Sequence, residues 1–459
     1  MRPLATLFTA AAGFIDGKLV RDVQLCVGDA GEVLTAPVAG ATRVDLGRKF
    51  LLPGFVNGHS HAFQRAIRGR TEFLAPGHER DDFWSWREAM YATASALDPE
   101  QLYAVSKQAF LEMALAGVTT VGEFHYLQHQ SDGTPYDDDS LLAKQVIRAA
   151  RDVGLRIVLL RVGYARAGHQ VEPNPRQRRF IDSDASVFLR RADALRTAMK
   201  HDAMVSVGLA PHSVRAVPKP WLEEIVKSRA FERAPIHMHV AEQPGEIRAC
   251  MAEYAMHPVQ LLDSVGMLSD RFTAVHGVHL ERQEVARLGA SGTTICACPS
   301  TERNLGDGIV HADSLLAAGS PISLGSDSQA HIALLEEAQQ LEGHLRLARL
   351  RRNVLDPVAP RLLEALTHAG SRSLGLPPQT LGAGSSADFV ALDLDHPSLV
   401  GADAGTTDAQ LLASVVMGAS SAAISDVFVA GRGIVRSARH AEAESTARAF
   451  STVMQQLRC

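Results

Sequence analysis

From about residue 51 onward, short apolar runs alternate with longer stretches of helical character, and the alternation occurs eight times. The runs are Leu51 to Asn57, Val118 to Phe124, Arg156 to Gly163, Met204 to Ala210, Pro235 to Ala241, Phe272 to Val278, Thr293 to Cys298 and Pro321 to Gly325. Strands separated by helices pair in parallel, because a parallel neighbour is reached only through a crossover of a dozen or more residues. Eight such units point to an α/β fold, a (β/α)8 TIM-like barrel that carries its chemistry where the strands end. His59, Glu123, His212, His239, His276 and Asp327 all fall at or just beyond those ends.

The barrel is expected to occupy residues 51–378 of the 459. Residues 1–50 and 379–436 read instead as short strands with tight turns, and two terminal β-segments flanking a barrel are expected to meet in a small β-sandwich domain. Residues 437–459 have the composition of a C-terminal helix. Met1 to Phe14 resembles a weak signal peptide, with one positive charge and a short apolar run. The Asp16-Gly17 turn that follows favours a hairpin strand instead.

No apolar run reaches the length that crosses a bilayer, so no membrane partner is expected and a cytoplasmic location is. The five cysteines, Cys26, Cys250, Cys296, Cys298 and Cys459, are scattered and odd in number, which suits a reducing compartment rather than a disulfide framework. Cys296 and Cys298 could be soft metal ligands, but their run reads as a buried strand, which favours small core residues. The Leu- and Arg-interleaved segment His344 to Arg352 reads as an amphipathic helix with a solvated face. A formal net charge of −5 gives no reason to expect nucleic acid, and small-molecule chemistry is the better expectation.

Among nineteen histidines any single one is weak evidence, so position carries the argument. His59 and His61 alternate at the end of the first run and can present two imidazoles to one ion. His239 at the end of the fifth run and Asp327 just past the eighth complete a set of three imidazoles and one carboxylate. Zinc suits that set best, one ion per subunit, with iron or manganese as alternatives. His237 shares a face with His239 and is its rival; Glu242, three residues after His239, favours the latter. The fourth run and its extension, Met204 to Arg215, contain no lysine to bridge two metals, so a mononuclear site is expected.

His59-x-His61, His239-x-x-Glu242, His276 and Asp327 resemble the mononuclear-zinc deaminase branch of the amidohydrolase superfamily, from about residue 45 to 435. Within that branch, His59-Ser60-His61-Ala62-Phe63-Gln64-Arg65-Ala66 is similar to the formimidoylglutamate deiminases of histidine degradation. So are Phe83 to Tyr91, Glu123-Phe124-His125-Tyr126, His212 to Val217 and Ser300 to Gly308.

The resemblance implies hydrolysis of N-formimidoyl-L-glutamate to N-formyl-L-glutamate and ammonia by metal-activated water. Glu242 would shuttle protons, Asp327 would accept one from water, and His276 would orient the attacking oxygen, with His279 a competitor for that role. It also implies that Gln64, Arg87, Tyr126, His212 and Arg215 bind a small dicarboxylate substrate, and that the protein is a homodimer. Without the resemblance, Arg87 would be an ordinary helix-surface charge, and Trp84 and Trp86 would be core or interface aromatics. A deaminase acting on a nucleobase or related heterocycle, imidazolonepropionase and a non-catalytic barrel scaffold are the rival readings.

Overall fold

The computed structural model describes residues 5–74, 81–171 and 174–457. Met1 to Leu4, the start of the leader-like segment, and Cys459 lie outside that range. Strands β1 (Ala5–Ile15) and β2 (Lys18–Gly28) form an antiparallel hairpin across Asp16-Gly17, followed by β3 (Thr42–Asp45) and β4 (Lys49–Pro53). The segment from Ala5 onward is thus a strand, in keeping with the hairpin reading.

The eight barrel strands are β5 (Phe55–Ser60), β6 (Val118–His125), β7 (Arg156–Gly163), β8 (Val205–Pro211), β9 (Ile236–Val240), β10 (Phe272–His276), β11 (Thr294–Ala297) and β12 (Ile322–Leu324). They pair in sequence order and in parallel. The seam between β12 and β5 closes through a parallel bridge at Ser60 and Asp327. There the His61 N–H donates to the Asp327 carbonyl at 3.0 Å, and the Asp327 N–H donates to the His59 carbonyl at 3.1 Å. Gly325 permits this approach, since a Cβ there would lie 2.8 Å from both the Cβ and the carbonyl oxygen of His59.

Three late strands, β13 (Phe389–Asp393), β14 (Ile424–Val429) and β15 (Arg432–Val435), join β1 to β4 in a seven-stranded mixed sheet. The sheet folds over its own core, bringing the Phe8 ring within 5.2 Å of Phe389 and 5.0 Å of Phe428. One boundary differs from the sequence expectation. Leu51, Leu52 and Pro53 pair with β13 in this outer sheet, and the first barrel strand begins only at Phe55. The apolar run is continuous because both sheets bury it, while Pro53-Gly54 lets the chain change sheets. Helix Ala443–Gln456 ends the described chain, and Cys26, Cys250, Cys296 and Cys298 are buried and free.

Candidate active site

Strand geometry places His59 and His61 on one side of β5, and the closing seam brings Asp327 against them. The Nε2 atoms of His59 and His61 are 3.2 Å apart, those of His61 and His239 3.4 Å, and those of His239 and His59 3.2 Å. Asp327 Oδ1 lies 3.2 Å from the Nε2 of both His59 and His61. A tetrahedral ion with ligands at about 2.0–2.1 Å has edges of about 3.3–3.4 Å, so five of the six edges fit a metal such as zinc. The sixth, from His239 to Asp327, is wider and within 4.8 Å, which leaves room for a further ligand.

The imidazoles are prepared for a metal by their other nitrogens. His61 Nδ1 pairs with the Phe124 carbonyl at 2.9 Å and His239 Nδ1 with the His212 carbonyl at 3.1 Å, so each donates its proton there and turns Nε2 toward the centre. Burial lowers the pKa of His59 to about 3 and holds that of His239 well below the ordinary imidazole value, which keeps their lone pairs free. Burial alone would favour a protonated Asp327, but His59, His61 and the nearby His276 hold its carboxyl well below the usual range. His237, the rival ligand, sits one layer deeper and bonds the Ser373 carbonyl at 2.7 Å.

Glu242 and His276 border this centre. His276 Nε2 is 3.6 Å from Glu242 Oε1 and 3.9 Å from Asp327 Oδ2. Burial raises the Glu242 pKa, with Asp327 adding to the rise and His276 and Arg215 opposing it. His276 is buried, yet Glu242, Glu302 and Asp327 around it hold its pKa well above the ordinary value. Both His276 and Asp327 have left-handed backbone, with φ of 72° and 44°, as does Ala241 beside Glu242 at 53°. Three non-glycine residues in that region at one site are strain held by the surrounding structure, as is common where side chains must be aimed.

Residues 50–434 match the Amidohydrolase family. The chain belongs to that family. It is 38% identical to a formimidoylglutamate deiminase from Pseudomonas aeruginosa over 89% of each chain. It is 30% identical to an 8-oxoguanine deaminase from the same organism, over 86% of this chain and 85% of that one. Among solved structures, an amidohydrolase from Brucella melitensis superposes with a TM-score of 0.90 at 32% identity, covering 99% of this chain and 100% of that one.

In this amidohydrolase Gln64, Arg87, Tyr126, His212 and Arg215 come together, and they line one cavity with His61, His239, Glu242 and Asp327. The Tyr126 hydroxyl accepts from Gln64 Nε2 at 2.9 Å, and His212 packs between Tyr164 and His239. The Nε atoms of Arg87 and Arg215 are buried without a hydrogen-bond partner. Arg215 Nε faces the buried Glu246 Oε2 at 3.9 Å, too far for a hydrogen bond, and buried donors left without one suit an anionic ligand.

Several residues to which the sequence had given no role contribute to the site. Glu302 Oε1 accepts from the Cys298 N–H at 2.8 Å and stands 3.3 Å from His276 Nδ1, fixing that ring. Glu123 accepts from Ser60 Oγ at 2.6 Å and the Ala62 N–H at 2.8 Å, holding the chain on either side of His61. Trp86 lines the cavity, and Trp84 carries the guanidinium of Arg87 4.4 Å from its ring and that of Arg215 at 5.9 Å. The spacing of Trp84 and Arg87, three apart on helix Phe83–Ala96, was the available signal for that stack.

Proposed function

We propose that this chain hydrolyses N-formimidoyl-L-glutamate to N-formyl-L-glutamate and ammonia, with zinc as the ion held by His59, His61, His239 and Asp327. The observation that carries the reading is the joining of two chemistries in one cavity: a four-donor metal set at one wall and, at another, two guanidinium groups whose buried Nε atoms make no hydrogen bond. A bound divalent ion supplies the Lewis acidity that makes water a nucleophile near neutral pH.

The residues do the rest. Arg87 and Arg215 hold the substrate carboxylates and fix the formimidoyl carbon near Asp327 and Glu242. Asp327 takes a proton as water attacks the amidine carbon. Glu242, whose raised pKa lets it hold a proton at higher pH, gives that proton to the departing nitrogen. The C–N bond to that nitrogen then breaks as it receives the proton held by Asp327, the hydroxyl proton passes to Glu242 as the formyl C=O forms, and ammonia leaves with both carboxyl groups restored. His276, fixed by Glu302, steadies the oxygen as charge develops.

The relative named as an 8-oxoguanine deaminase marks the alternative, a heterocyclic substrate. A planar base lacks carboxylates to pair with two buried guanidinium groups, which favours the formimidoyl amino acid. Turnover of N-formimidoyl-L-glutamate in ¹⁸O-water tests the proposal. Ammonia and N-formyl-L-glutamate with label in the formyl oxygen are expected; formamide with glutamate would overturn it.

A further inference from the structure

The wall of the cavity beside the two arginines is built by Tyr91 and Tyr164, and both lean on Gln177. Gln177 is almost fully buried and lies on the short helix Pro175–Phe180. Its Oε1 accepts from the Asn174 N–H at 2.9 Å, which fixes the amide so that Nε2 faces the phenols. Nε2 donates to Tyr91 Oη and to Tyr164 Oη, each at 2.9 Å. The two phenol oxygens are themselves 3.4 Å apart.

Counting donors and acceptors leaves a remainder. The amide spends both of its N–H groups on the two phenol oxygens. Each phenol keeps one O–H, and one of these can point to the other oxygen. The second hydroxyl hydrogen then has no acceptor among the described residues. The Arg87 guanidinium lies 5.4 Å from the Tyr91 ring centre, and the charges of Arg215 and Arg87 both act on Tyr164. Those charges repel a cationic ligand and favour an anionic acceptor for that hydrogen.

We propose that Tyr91 and Tyr164, clamped by Gln177, deliver one shared hydroxyl hydrogen to a substrate carboxylate, and so select a dicarboxylate over its mono-amide. The inference rests on the proposed reaction only in requiring a ligand that carries a carboxylate there. Tyr91 and Tyr164 bind the substrate; Gln177 is a positioning residue that acts through them. Because the pair has two hydroxyls and offers one hydrogen, either tyrosine can serve when the other is lost.

The test uses metal-loaded protein, with glutarate and its mono-amide as calorimetric probes and turnover measured in parallel. Tyr91→Phe and Tyr164→Phe singly are expected to bind glutarate within about threefold of the unmodified protein, while the double variant weakens it by roughly ten- to hundredfold. The double variant is also expected to lose its preference for glutarate over the mono-amide, raising KM with kcat within about threefold. Gln177→Glu, which turns two donors into an acceptor for both hydroxyls, is expected to match the double variant.

Unchanged glutarate binding in the double variant, or full loss in one single variant, would overturn the proposal. Failure of the unmodified protein to bind glutarate would overturn it as well. Hydroxyl-dependent glutarate binding without ammonia release would defeat the proposed reaction and leave this inference standing.

Discussion

Two clusters of buried polar groups, at opposite ends of the barrel, are handled in opposite ways. At the end where the strands begin, Asp388 is buried and fully engaged: its side chain accepts from Arg156 at 3.3 Å, from Ser386 at 2.8 Å and from the Ala430 N–H at 2.6 Å. At the end where the strands finish, Arg87 Nε, Arg215 Nε, Gln64 Oε1 and His59 Nδ1 are buried without hydrogen-bond partners. A closed network stabilises; an open one is a site awaiting its ligand. Substitutions at the open end should therefore cost activity, and those at the closed end should cost stability.

The largest loss is expected from the metal donors. Replacing His239 or Asp327 with Ala should reduce bound metal, measured by elemental analysis, and lower kcat/KM by at least about a thousandfold. Glu242→Gln should retain the metal and lower kcat by about 10²- to 10⁴-fold, because it removes the proton carrier but no ligand. Glu302→Gln should lower kcat by about ten- to hundredfold through a less firmly held His276, again with metal retained.

At the closed end, Asp388→Ala should destabilise the fold by about 1–3 kcal/mol in denaturant titrations, because Arg156 loses its partner. Its kcat/KM per folded molecule should not change, and a loss there would break the contrast between the two ends.

A further expected effect concerns pH. Burial pushes the Glu337 carboxyl up from 4.5 to about 8, so within that window the folded chain holds a proton that the unfolded chain has released. Stability from this group falls as pH rises through the window. Glu337→Gln should reduce that slope in thermal melts recorded between those limits.

The barrel was legible because strand and helix periods alternate locally, and the metal donors because strand ends converge on one face of such a fold. His59, His61, His239 and Asp327 each sit at a position the topology brings together. The switch of sheets at Pro53-Gly54 was not legible, since Leu51 to Val56 is without a polar side chain and both sheets bury it. Glu302, Tyr91, Tyr164 and Gln177 escaped notice for a different reason. They lie on separate helices and a strand-end loop, and only tertiary packing places Glu302 against His276 or Gln177 between the two phenols.

In the proposed reaction the open end joins water activation to recognition of a dicarboxylate. The most direct measurement compares kcat/KM for N-formimidoyl-L-glutamate and 8-oxoguanine on the same metal-loaded protein. A preference of at least about a thousandfold for the formimidoyl amino acid is predicted, since the base offers no carboxylates to Arg87 and Arg215. Equal rates, or a preference for 8-oxoguanine, would contradict it.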